Sequence, residues 1–150
     1  MKKWLAGLGV TFLILIAVLG IAMAILAYRG RHLDAESQQY VDQAVTAIAS
    51  EWKVSEFLQR ASPELLAKVN GPDIDRVFAT LQVKLGKLKQ YRGAKGAARL
   101  SWHAGGETVM AQYVATAEFE GGPAEITVNH IKLRNDWQLL GFYVNSRVLV

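Results

Sequence analysis

Three patterns of apolar and polar positions divide the chain. From Trp4 to Tyr28 there is no charged residue; from Tyr40 to Trp52 apolar residues return at helical spacing; from Leu100 to Val148 they alternate with polar ones. Alternation is the mark of a strand with one buried face, and helical spacing the mark of an amphipathic helix. The last stretch reads as four antiparallel strands joined at Gly105-Gly106, Gly121-Gly122 and Asn135-Asp136, residue pairs that suit two-residue hairpin loops. With those loops, Phe119 lies opposite Ala124, Ala117 opposite Ile126, Ala115 opposite Val128 and Tyr113 opposite His130. The resulting apolar face runs from Ala98, Leu100 and Trp102 through alternate residues from Val109 to Phe119 and from Ala124 to His130, and on to Leu139, Gly141 and Tyr143. Gln112, Thr116, Glu118, Glu125, Thr127, Asn129 and Gln138 fall on the other face. A slip of one residue would exchange the two faces, so the sorting supports the pairing.

The uncharged run is 25 residues long, roughly 37 Å as a helix at about 1.5 Å per residue, enough to cross a hydrocarbon core of about 30 Å with tilt. A cleaved secretory signal is the rival reading, since Lys2 and Lys3 precede the run and Ala22-Met23-Ala24 resembles a cleavage site. The run exceeds the usual signal core of about 7–15 residues, which favours an uncleaved anchor. Lys2 and Lys3 on one side and Arg29 and Arg31 on the other nearly balance the positive-inside comparison. A short basic head before a long C-terminal domain suits a cytoplasmic N-terminus and a periplasmic domain, an architecture at home in a bacterial inner membrane. Gly20 and Ala24 form a small-xxx-small pair able to seat a second helix, although such pairs arise by chance in spans rich in Ala and Gly. The expected division is therefore 1–32 for the anchor with its flanks and 33–150 for a domain.

Asp34 is positioned to cap the amphipathic helix that contains Tyr40, Val41, Ala44, Val45, Ile48, Ala49 and Trp52. Ser62-Pro63 opens a second helix, Asp73 a third with Ile74, Val77, Phe78, Leu81 and Leu85 on one face, and Gly86 stops it. Three helices covering one face of a bent antiparallel sheet make an α+β domain.

This order of elements resembles the nuclear transport factor 2-like (cystatin-like) superfamily over about residues 34–148. The segment Asn135-Asp136-Trp137-Gln138-Leu139-Leu140-Gly141-Phe142-Tyr143-Val144 is similar to that superfamily's closing hairpin, with its inward Trp. Leu85-Gly86-Lys87-Leu88-Lys89 resembles the helix-to-strand junction of small membrane-anchored members of unknown function. The resemblance implies a cone-like domain whose concave sheet face meets the long helix. That cone is an active site in some members and a dimer or scaffold surface in others; a scaffold of this architecture occurs in the inner-membrane component of type IV secretion systems.

The chemistry on the apolar face is sparse. Isomerases of that superfamily use an aspartate base, yet this face carries no Asp or Glu, so no catalytic residue transfers. Its polar groups are Tyr113, His130 and Tyr143, with Asn145 near the end and Trp102 at the rim, and these five are the ligand-pocket candidates. His130 beside Tyr113 would supply an acid–base pair in an open cavity; enclosed, it is a core histidine bonded to Tyr113 or to a carbonyl. His32, His103 and His130 have no metal-ligand spacing, there is no cysteine, and no phosphate-binding loop is present, so neither metal nor cofactor is expected.

The chain carries net charge +4, and Lys84, Lys87, Lys89, Arg92, Lys95 and Arg99 gather without an intervening acid. Such a patch suits anionic lipid headgroups, an acidic partner in a membrane complex, or a solvated strand edge whose lysines block unwanted pairing. Tyr91 is the only aromatic among them, which argues against nucleic acid. The expected protein is a single-pass membrane protein presenting a non-catalytic binding or assembly domain, alone, as a homo-oligomer or in a complex. The alternative is a binder, or weak enzyme, of a small apolar or lipid-like ligand held by His130 and Tyr113.

Overall fold

The computed structural model describes residues 2–150, with side chains from Gly9 onward. Helix α1 spans Lys2–Ala49, followed by α2 (Val54–Arg60), α3 (Pro63–Lys68) and α4 (Gly71–Lys84). Four strands then form an antiparallel sheet in sequence order: β1 (Leu88–His103), β2 (Gly106–Phe119), β3 (Gly122–Leu133) and β4 (Asp136–Asn145). A single 3-10 turn, Arg147–Leu149, closes the chain. The fold class is α+β. Two compact units divide at Asp34, residues 1–34 and residues 35–150.

In the first unit, large apolar side chains from Val10 to Tyr28 are exposed all round the helix; Phe12 is 66% accessible, Ile16 51% and Tyr28 71%. A helix that is apolar on every side and covered by no protein is long and apolar enough to cross a membrane.

In the second unit, the last turns of α1 contribute Val41, Val45, Ile48 and Ala49 to one core with Ala111, Tyr113, Ala115, Ala117, Phe119, Ala124, Ile126, Val128 and Leu139. The strict alternation of buried and exposed residues along β2 is the pleat of a sheet with one covered face. Trp52 follows α1 with positive φ, stacks on Phe119 at 5.2 Å and donates its indole N–H to the Gly86 carbonyl at 2.8 Å. That bond ties the end of α1 to the stop of α4, where Gly86 takes the left-handed backbone (φ 71) expected of a helix terminator. Ser62 caps α3 by accepting from the Leu65 N–H at 3.2 Å, with Pro63 in the first turn.

Several expectations need correction. No helix begins at Asp34: α1 passes through it unbroken, so the uncharged run and the first helix of the domain belong to one element. Helix α2, whose Phe57 is buried, was not foreseen because seven residues are too few for a clear period. Strand β1 starts at Leu88, well before the alternation becomes legible, and it bulges twice, between Leu88 and Gln90 and between Tyr91 and Ala94.

All three hairpin loops sit one residue earlier than expected, at Ala104-Gly105, Glu120-Gly121 and Arg134-Asn135. Arg134 (φ 50) and Asn135 (φ 68) both adopt the left-handed backbone, the signature of a type I′ turn, which makes them the loop pair rather than Asn135-Asp136. Tyr113 therefore pairs with Val128 and His130 with Ala111. Moving a loop by one residue shifts pairing by two, so β1, β2 and β3 keep their expected faces. In β4 a further irregularity, between Asn129 and His130 on its partner strand, shifts pairing by one more. Leu139 and the half-buried Phe142 and Val144 then join the core, while Tyr143 turns outward, 61% exposed.

Candidate functional site

The core polar cluster is built by α1, β2, β3 and β4. Pairing of Ala111 with His130, and of His130 with Leu139, puts the imidazole on the covered face two positions from the Tyr113–Val128 pair. Three aromatic rings enclose it: Tyr40 at 5.1 Å, Trp137 at 5.0 Å and Tyr113 at 5.6 Å between ring centroids. His130 has no exposed surface, and neither ring nitrogen has a partner at hydrogen-bonding geometry. The Tyr40 hydroxyl and the Trp137 indole N–H are likewise buried without one. Tyr113 does not bond the imidazole; its hydroxyl lies 2.8 Å from Ser37 Oγ.

Burial pushes the His130 pKa down from 6.5 to about 4, and the nearby carbonyls of Val128 and Ser37 offset only part of that. Burial likewise raises the Tyr40 phenol to about 12, against a smaller opposing influence of Arg60. The imidazole is thus neutral near pH 7, and the phenol stays protonated. A general base must reach its substrate proton within about 3 Å or through one water. His130 is walled in by rings, so its geometry is that of a core histidine. At the mouth of the cluster Lys132 bonds Glu36 at 2.6 Å and lies 5.9 Å over the Trp137 ring.

The other candidates lie apart from this cluster. Tyr143 is on the opposite face, its ring against Gly141. Asn145 is exposed at the end of β4, opposite Glu125. Trp102 is 72% exposed near the β1–β2 loop. Of the five pocket candidates, only Tyr113 and His130 meet. The sequence does not single out Ser37 or Tyr40: Tyr40 reads as the first apolar position of its stripe, and nothing local marks Ser37. Trp137 was legible as the inward Trp of the last hairpin.

Of the basic residues, Lys84 ends α4, Lys87 follows it, and Lys89, Arg92, Lys95 and Arg99 lie along β1, an edge of the sheet. Arg92 pairs with Glu118 at 3.3 Å. Tyr91, between them, points inward and donates to Asp42 at 2.5 Å; burial, then that bond and the Asp42 charge, raise its pKa. Gly20 and Ala24 are exposed on α1, and a Cβ at Gly20 would touch nothing. Among the described residues no three His, Cys, Asp or Glu side chains are grouped to hold a metal ion.

An apolar groove of about 640 Å³ lies beside α4 and β4. Ile74, Phe78 and Leu81 from α4, Phe57 from α2, and Phe142 and Val144 from β4 line it, with Asn70, Asp73 and Arg76 among its polar groups. Its size and lining are those of a site for an apolar ligand or side chains of a partner. It exists because the β4 irregularity turns Phe142 and Val144 inward, so sequence alternation alone could not reveal it. In comparisons with known proteins, the chain matches no family model, no curated protein and no solved structure.

Proposed function

We propose that this chain is a single-pass membrane protein displaying a small, non-catalytic binding or assembly domain, with the N-terminus in the cytoplasm and residues 33–150 on the periplasmic side of an inner membrane. In this reading the domain is a cone-like member of the nuclear transport factor 2-like superfamily, and its partners are membrane lipid together with a membrane complex or further copies of itself. The observation that carries it is the division of labour along α1. Its early residues expose large apolar groups on every side, whereas Val41, Val45 and Ile48 are wholly buried in the domain core. The enclosure of His130 by three aromatic rings supports a role without catalysis. A second reading, binding of a small apolar or lipid-like ligand, draws support from the α4–β4 groove rather than from His130 and Tyr113.

The test is purification through a C-terminal tag after cross-linking in native membranes, followed by mass spectrometry. A reproducible co-purifying protein or a homo-oligomer is the expected outcome. Robust turnover by the purified chain, abolished by His130→Ala or Tyr113→Phe, would overturn the non-catalytic reading. A C-terminal alkaline phosphatase fusion tests the orientation: activity is expected, and an inactive fusion that is stably made would reverse the topology.

A further inference from the structure

We propose that the tip of the β1–β2 hairpin is a second membrane contact, with Trp102 seated in the phospholipid interface. The inference rests on the reading of Trp4–Tyr28 as a membrane span. Its geometric basis lies inside the domain. Glu36 is held by Lys132, Ser37 by Tyr113 and Asp42 by Tyr91; Leu88 N then donates to the Ser50 carbonyl, and Trp52 stacks on Phe119. Residues 36–52 therefore travel along the sheet from the Val109–Lys132 level toward the Leu88–Phe119 end. The chain joins the domain at the end from which the β1–β2 hairpin projects.

The hairpin overhangs that level. Strand β3 ends at Leu133, one residue past the Lys132–Val109 pair, while β1 and β2 continue to the His103–Gly106 pair. From Val109 to Gly105 is four residues, about 14 Å at ~3.4 Å per residue. Only the six residues Arg29–Asp34 separate the uncharged run from the domain. They reach about 9 Å as a helix and no more than about 20 Å fully extended. An overhang of that size matches a tether of that length, and the polar interface adds about 5–7 Å of thickness on each side of the core.

The exposed side chain on the overhang suits that depth. Trp102, paired with Glu107 beyond the Leu100–Val109 level, is 72% exposed. Indole is favoured at the headgroup level, where its ring is buried and its N–H stays hydrated.

The chain contains no cysteine, so a single introduced thiol can be labelled selectively. Trp102→Cys, Tyr28→Cys and Glu120→Cys would each carry a fluorophore in the full-length protein, in nanodiscs of phosphatidylcholine and phosphatidylglycerol (3:1) with or without acyl-brominated lipid. Glu120 sits in the loop at the far end of β2 and serves as the water reference; Tyr28 marks the span. Quenching by brominated lipid at position 102 is expected to exceed that at 120 by at least twofold and to approach that at 28. Quenching at 102 no greater than at 120, with strong quenching at 28, overturns this inference and leaves the membrane span intact. Loss of quenching at 28 as well overturns both. Protection of 102 from aqueous iodide without quenching by brominated chains would mean that a protein surface covers it, which also overturns the lipid contact.

Discussion

Protonation of His130 is expected to make stability fall steeply in mild acid. In the unfolded chain the imidazole titrates near 6.5, and in the fold near 4, because three rings and the sheet remove it from water. Above pH 6.5 it is neutral in both states, and pH exerts no pull through it. Between pH 6.5 and 4 the unfolded chain holds a proton that the native state lacks, so stability declines as pH falls; below 4 both states are protonated and the loss levels off. At ~1.4 kcal/mol per pH unit, the gap amounts to about 3 kcal/mol. That is a large share of a typical domain stability of about 5–15 kcal/mol. Urea unfolding of the full-length protein in a nonionic detergent, followed by tryptophan fluorescence at pH values from 7.5 to 4.5, measures it. Carboxylates in general begin to take up protons over the same fall in pH, so the informative quantity is the difference from His130→Phe, which preserves an aromatic of similar size. The wild type is expected to lose about 2–3 kcal/mol more than the variant between pH 7.5 and 4.5. Parallel pH profiles would refute the enclosure of a neutral imidazole, since an accessible or already charged ring contributes no such difference.

Other perturbations probe the fold and the groove. A Cβ at Gly96 would collide with the Gln112 carbonyl oxygen and the Tyr113 Cα, so Gly96→Ala is expected to open the β1–β2 pairing and cost about 1–3 kcal/mol, read as a lowered urea midpoint. Trp52→Ala removes the stack on Phe119 and the bond to Gly86, with an expected loss of about 3–5 kcal/mol; a loss under about 1 kcal/mol would contradict its place in the core. Val77 lines the groove yet is 54% exposed, so Val77→Glu is expected to change stability by no more than about 0.5 kcal/mol while abolishing capture of any partner seated there. An unchanged cross-linking pattern would remove the groove from the binding surface.

Much of this protein is local, and local structure is what residue patterns encode. The uncharged run, the Ser62-Pro63 helix start, the Gly86 stop and the inward faces of β2 and β3 each follow from a few neighbouring residues. Alternation reports which side of a sheet a residue faces, but a loop moved by one residue leaves every face unchanged. The three hairpins were therefore recognisable, while their loops were settled by backbone angles such as those of Arg134 and Asn135. His130 and Tyr113 were legible as inward polar groups; their enclosure was not, because Tyr40 and Ser37 arrive from a helix more than seventy residues earlier in the chain.

The sequence by itself determined an apolar N-terminal helix, an α+β domain and a one-sided meander, since periodicity and charge are properties of adjacent residues. Only the tertiary structure decided that α1 runs through Asp34 and that β4 changes face after Leu139. Phe142 turns inward to meet Phe57, their rings 6.2 Å apart, and Tyr143 is left outside. A one-residue irregularity in a strand has no signature in alternation; it is selected by what the side chains gain from packing against a distant helix, here the short α2.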